Sequence, residues 1–276
     1  MKIYLCNNTV SGHSGSKAVM LSLLVALKDH TIIDTLIVGS QKWNYKSLES
    51  CDAVLVNGEG TIHHNSKCGN ALMDVLKEGQ KLKKKTLLIN SVFQQEPLYY
   101  KEVLKKLDFF SVRDPISQEN ASKCGRTPVI QLDACVGLKN FSGTKIKGYK
   151  GIVKGKIYPG VDWNDIIDDF NYPTLLLDNS FLDTIATLKD CDLYITGQHH
   201  GMYAAGLAGI PFVVIASNSH KIEGTIKWFG KKIPVCKTKK QVEKAIKWSL
   251  EHKEIFKEFQ EFLFTEKIYN GEGLDG

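Results

Sequence analysis

The 276-residue chain is 43% hydrophobic and 24% charged, the balance of an ordinary globular protein with room for one large domain or two of usual size. No apolar run approaches the length of a membrane span and no signal peptide is legible, so the expectation is a cytoplasmic protein. A formal net charge of +6 suits anionic partners or simply a lysine-rich solvated face, and seven dispersed cysteines without a C-x-x-C pair argue for reduced thiols, not a disulfide framework or zinc site.

In chain order, residues 2–6 read as a first strand, 7–15 as a polar loop rich in Asn, Ser and Gly, and 16–28 as a helix with apolar residues at helical spacing. Strands follow over 32–38 and 53–56, the latter fully apolar and so suited to the centre of a parallel sheet. A helix over 70–82, a strand over 86–90, a helix over 99–107, a strand over 109–112, a short helix over 116–123 and a strand over 128–132 continue the alternation. Residues 141–160 change character, being rich in Gly and Lys with weak periodicity, and place a domain boundary near 137. The second half resumes with a strand at 174–177, a helix at 180–189, a strand at 193–196, a helix from Gly201 and a strand at 212–215. Amphipathic helices over 239–250 and 251–264 and a loose tail over 270–276 close the chain. This alternation predicts an α/β fold of two Rossmann-like domains, 1–137 and 138–276, facing a cleft in the GT-B manner.

In such sheets ligands bind outside the carboxyl ends of strands, where helix N-termini present N–H groups. Thr196-Gly197-Gln198-His199-His200-Gly201 has that form: strand, polar turn, then small residues at helical spacing. Gln198, His199, His200 and Gly201 are therefore candidate donor-binding residues; adjacent histidines point in different directions, and His200 is the better ligand contact and catalytic candidate. Gly58-Glu59-Gly60 closes another buried strand, where the glycines permit positive φ and Glu59 is a candidate general base. His63 and His64 follow it, as candidate lining residues. Arg113, in Ser111-Val112-Arg113-Asp114, could fork onto a phosphate or carboxylate, or form a structural ion pair with a nearby Asp. Ser217, Asn218, Ser219 and Lys221 follow a strand and are donor-binding candidates, with an ordinary polar loop as the plain alternative. Ser14, in Gly12 to Lys17, is a lining candidate, but the stretch lacks Walker spacing. No G-x-S-x-G or H-E-x-x-H motif occurs, and no metal or cofactor is expected.

Together these pieces resemble the polysaccharide pyruvyl transferase family over about residues 1 to 230. Gly58-Glu59-Gly60 looks like its Gly-rich turn; Ser111-Val112-Arg113-Asp114-Pro115-Ile116-Ser117 matches its S-x-R-[DE]-x-x-S; Asp133 matches its Asp after a strand. Thr196 through Pro211 matches [ST]-x-R-x-H-x-x-x-x-A-x-x-x-G-x-P with one change, Gln198 for arginine. The resemblance implies a GT-B-like fold and a transferase. It implies that members using phosphoenolpyruvate hold it with the arginine that Gln198 replaces; a neutral amide supplies no charge-assisted fork there. The N-terminal loop also lacks the family's N-x-G-D-x-A, Ser16 standing near the acid's place.

The leading expectation is sugar transfer from a nucleotide-activated donor to a hydroxyl of a polymeric acceptor, a surface glycan or hydroxymethylated phage-type DNA. Pyruvate ketal formation from phosphoenolpyruvate is the alternative. A non-catalytic module for acidic polymer is a third, in which Glu59 has no role. Sequence leaves the oligomeric state open.

Overall fold

The computed structural model describes residues 1–39, 42–157, 164–178 and 180–274. In order these form β1 (Lys2–Cys6), α1 (Ser14–Ala26), β2 (Thr31–Leu36), α2 (Tyr45–Ser50), β3 (Ala53–Glu59), α3 (Lys67–Lys81), β4 (Lys85–Ser91), α4 (Lys101–Lys105), β5 (Phe109–Val112), α5 (Pro115–Lys123) and β6 (Val129–Ile130). After them come β7 (Gly151–Lys154), α6 (Phe181–Leu188), β8 (Cys191–Thr196), α7 (His199–Ala208), β9 (Phe212–Ile215), α8 (Lys221–Phe229), β10 (Val235–Cys236), α9 (Lys239–Glu251) and α10 (Lys253–Thr265). No described helix is long and apolar enough to cross a membrane.

The chain divides into two compact units. The first comprises Met1–Ser11, Val19–Ala134 and the tail from Lys267. Its sheet has six parallel strands in the order β2-β1-β3-β4-β5-β6. β3 lies inside this order and every one of its residues is buried, which is why its Ala-Val-Leu-Val start is apolar without alternation. One face of the sheet packs Val54, Val56 and Leu88 against Leu72, Met73 and Leu76 of α3. Ser66 caps α3, its hydroxyl accepting from Gly69 N at 2.9 Å, so that helix starts three residues before its expected place.

The second unit comprises Gly12–Ala18 and Cys135–Glu266, so α1 begins in this unit and ends in the first. Its sheet is also parallel, in the order β10-β9-β8-β7. α7 is buried on all sides over its first nine residues; its small residues admit close neighbours, and a Cβ on Gly206 would lie 2.6 Å from the Phe259 ring of α10. Thr238 and Gln241 close a capping box at the start of α9.

Several expectations change. Residues 174–177 form no strand: Thr174 makes one bridge to Lys154, while Leu175 and Leu177 bury their side chains from a loop. The strand at this sheet edge is β7, inside the stretch taken as a boundary; residues 158–160 of that stretch lie outside the described residues. α2, α8 and β10 were not expected. The division falls between Ala134 and Cys135, and the residues from Lys267, placed by sequence in the second domain, belong to the first unit. Nor is the described tail loose: Tyr269 and Leu274 are buried, Leu132 N donates to Lys267 O at 2.7 Å, and Gln131 bonds Glu272.

Candidate active site

The candidates fall into one group per unit. In the first unit, β3 ends at Glu59, whose φ is +40°. The left-handed residue of Gly58-Glu59-Gly60 is thus the glutamate, and neither glycine uses the positive φ open to it. A Cβ on Gly58 would run into Ser91 Oγ, whereas one on Gly60 would meet, among the described residues, only Arg113 Nη2 at 3.9 Å, an ordinary contact. Val92 N holds the Glu59 carbonyl at 3.0 Å, and the Glu59 side chain is buried. A non-glycine residue kept left-handed and buried marks backbone strain that the fold tolerates at this strand end.

Arg113 follows β5 and Asp133 follows β6. Arg113 Nη1 donates to Asp133 Oδ2 in an ion pair whose residues are 1% and 0% exposed. The carboxylate offsets the guanidinium charge, and the pair is the one that sequence offered beside phosphate or carboxylate binding. Asp114 caps α5, accepting from Ser117 N at 2.8 Å and Ser117 Oγ at 2.7 Å, with Pro115 at the first helical position. The D-x-x-S spacing of the motif is therefore a helix start. His63 and His64 lie on a loop after β3, half-buried and exposed, with their Nδ1 atoms 2.7 Å apart.

Sequence reasoning passed over a buried amide network at three strand ends of this unit. Asn7 Nδ2 donates to Asn57 O at 2.7 Å, Asn90 Nδ2 to Asn57 Oδ1 at 3.0 Å, and Ala134 N to Asn90 Oδ1 at 3.1 Å. Asn7 and Asn90 have φ of +65° and +55°. The available signal was an Asn closing each apolar run, at Cys6-Asn7, Val56-Asn57 and Ile89-Asn90.

In the second unit, β8 delivers Gly197 and Gln198 to the start of α7. A Cβ on Gly201 would run into Thr196, so glycine sets the close approach of helix to strand. Gln198 is the N-cap residue, but its side chain makes no capping bond and its Oε1 is buried without a hydrogen-bond partner among the described residues. His199 turns inward: Nε2 is 3.3 Å from Thr225 Oγ1 of α8, and its ring meets Tyr203 edge-on at 4.8 Å. Tyr203 OH lies 3.2 Å from the same Thr225 hydroxyl. His200 faces α1: a Cβ on Gly15 would run into its ring, and the His13 ring centroid is 5.0 Å away.

α1 and α8 are thus both tied to α7 within this unit, α1 by Gly15 and His13 at His200 and α8 by Thr225 at His199. Ser14 N donates to Leu177 O at 3.0 Å, and the Ser14 hydroxyl is buried with no hydrogen-bond partner among the described residues. Ser219, before α8, is also buried, and its hydroxyl is in the same condition. Ser217 Oγ donates to Asn218 Oδ1 at 3.3 Å, and Lys221 Nζ donates to the same oxygen at 2.9 Å. Three helix starts, hydroxyl donors, imidazoles and one lysine make a setting that favours an anion. Sequence gave no sign of α8, so it read Lys221 as part of a loop.

The comparisons agree with this architecture. The polysaccharide pyruvyl transferase family model matches residues 14–219. Among solved structures, the chain is similar to S. aureus MnaA, solved with UDP (TM-score 0.61, 14% identity, covering 99% of this chain and 93% of that one). It is also similar to a putative UDP-N-acetylglucosamine 2-epimerase from Listeria monocytogenes (TM-score 0.58, 13% identity, 99% and 94% covered). A Klebsiella pneumoniae protein of uncharacterised function, KP1_0663, gives a TM-score of 0.53 at 16% identity, with 82% and 87% covered. No curated protein matches. At these identities the structures speak for a GT-B-like α/β fold alone, whereas the family model spans well over half of the chain and includes Glu59, Arg113, Asp133 and His200. The chain therefore belongs to the polysaccharide pyruvyl transferase family and is a transferase acting on polysaccharide.

Proposed function

We propose that this transferase moves a sugar from a nucleotide-activated donor to a polysaccharide hydroxyl. The observation that carries the reading is the anion setting at the starts of α1, α7 and α8, where the family's arginine is the neutral Gln198. A nucleotide sugar needs its diphosphate held there, and backbone N–H groups, hydroxyls, His200 and Lys221 suit that task. Its transferred group carries no carboxylate, so no second fork is required. In the reaction the acceptor hydroxyl gives its proton to the Glu59 carboxylate, its oxygen attacks the anomeric carbon, and the bond from that carbon to the diphosphate oxygen breaks with its electron pair on the leaving group.

Family membership favours a second reading, pyruvyl transfer from phosphoenolpyruvate, in which His200 holds the donor without the arginine.

Thermal shifts against UDP, GDP, CMP, their common sugar conjugates and phosphoenolpyruvate separate the two. A ligand at a hundred times its Kd adds about 2.7 kcal/mol. The expected result is a shift with one nucleotide and its conjugate, lost in His200→Ala. Glu59→Gln is expected to keep that shift and to lose turnover by about 10²–10⁴-fold. A shift with phosphoenolpyruvate alone replaces the first reading by the second.

A further inference from the structure

The second unit contains a cavity of about 430 Å³ that none of the groups above occupies. It lies at the carboxyl end of β7, the edge strand beside β8. Gly155 N donates to Ile195 O at 2.7 Å and Gly197 N to Lys156 O at 3.0 Å, so its wall is fastened to the residue preceding Gln198. Its volume falls in the range of small-molecule sites.

The lining is chemically divided. Ile157, Ile167 and Leu176 supply apolar surface, while Asp165 and Asp168 are exposed carboxylates. The lysines of the wall have partners of their own: Lys154 Nζ donates to Ile167 O, in the same wall, at 3.1 Å and to Phe170 O at 2.9 Å, and Lys156 pairs with Asp178 at 3.5 Å. The two carboxylates can accept from hydroxyls, and the two lysines balance their charge, so the lining as a whole carries no net charge. Apolar surface with acceptors nearby matches a ring with an apolar face and neighbouring hydroxyl groups.

We propose that this cavity takes an uncharged, diol-bearing ring of the donor, its hydroxyls donating to Asp165 and Asp168, while the diphosphate lies at the starts of α1, α7 and α8. The inference rests on the nucleotide-sugar reading. Two rings of such a donor share this chemistry, the ribose of the nucleoside and the transferred sugar.

The test is calorimetric titration of the full-length protein with the nucleotide that gives a thermal shift, its 2′-deoxy analogue, its sugar conjugate, and inorganic pyrophosphate as the phosphate-only probe. The Asp165→Asn, Asp168→Asn double variant changes exposed side chains isosterically, and Thr174→Trp fills the cavity independently. Both are expected to weaken the conjugate by about tenfold or more, as for hydrogen bonds to charged groups, and to leave pyrophosphate unchanged. A loss already present for the nucleoside diphosphate, and absent for its 2′-deoxy analogue, places the ribose in the cavity. A loss confined to the conjugate places the transferred sugar there. Wild-type affinity for all ligands in both variants overturns the inference alone. Wild-type protein that binds phosphoenolpyruvate and no nucleotide overturns the nucleotide-sugar reading, and this inference with it.

Discussion

Gln198 stands where the family motif carries arginine, and its position makes the exchange informative. It follows β8 by two residues, caps α7 without a side-chain capping bond, and keeps Oε1 buried with no hydrogen-bond partner among the described residues. A guanidinium there would bring a fixed charge and a planar fork to the start of α7. The variant Gln198→Arg is therefore expected to tighten phosphoenolpyruvate binding by about ten- to a hundredfold, the range of a charged hydrogen bond, as read by titration. An unchanged affinity would mean that position 198 does not meet the carboxylate of that ligand. At this scale the sequence revealed residue types at strand ends but not backbone states. Glycines flank Glu59, yet the glutamate carries the positive φ, because Val92 N fixes its carbonyl and Ser91 crowds Gly58. Arg113 was legible as half of an ion pair, but its partner lies 20 residues away, and only the adjacency of β5 and β6 brings Asp133 to it.

The elements read best are those whose burial is continuous. The apolar runs of β3, β4, β5, β8 and β9 announced themselves because strands buried on both faces need no polar alternation. β7 did not: Gly-Ile-Val-Lys is short, and Gly151 has a φ of +66°. Residues 174–177 misled for the opposite reason, since a leucine run buries its side chains equally well from a loop. α8 lacks an N-cap side chain and carries Gly224 and Thr225, so neither its start nor its propensity stood out. The element with most bearing on the site is α1, whose first turn meets α7 only because Gly15 has no side chain. Gly15→Ala must displace the His200 ring. It is expected to lower stability by about 1–3 kcal/mol, as overpacking does, and to abolish the donor shift that marks binding. Retention of that shift in a folded variant would separate His200 from the donor.

For the whole molecule, the alternating strands and helices were enough to expect two parallel-sheet units, whereas the path of the chain between them was not legible. The residues from Lys267 return to the first unit, where the Tyr269 ring lies 5.9 Å from that of Phe109 and Lys85 Nζ donates to Leu274 O at 3.3 Å. Nothing local foretells this, because the tail has few apolar residues and no periodicity. Deleting residues 267–276 removes two buried side chains, Tyr269 and Leu274, each worth about 1.5–3 kcal/mol, and is expected to cost about 3–6 kcal/mol in urea unfolding. A deletion variant with the midpoint of the parent would show that the tail is merely laid on the surface.

That return has a consequence for the order of events during synthesis. Neither unit is one unbroken stretch: residues 12–18, near the amino terminus, belong with partners from Cys135 onward, and residues from Lys267 belong with strands made much earlier. On the ribosome, the six-stranded sheet emerges first yet must wait for the chain as far as Leu274 before its last pieces can dock. The nascent chain therefore carries the earlier unit incomplete while the later one is made.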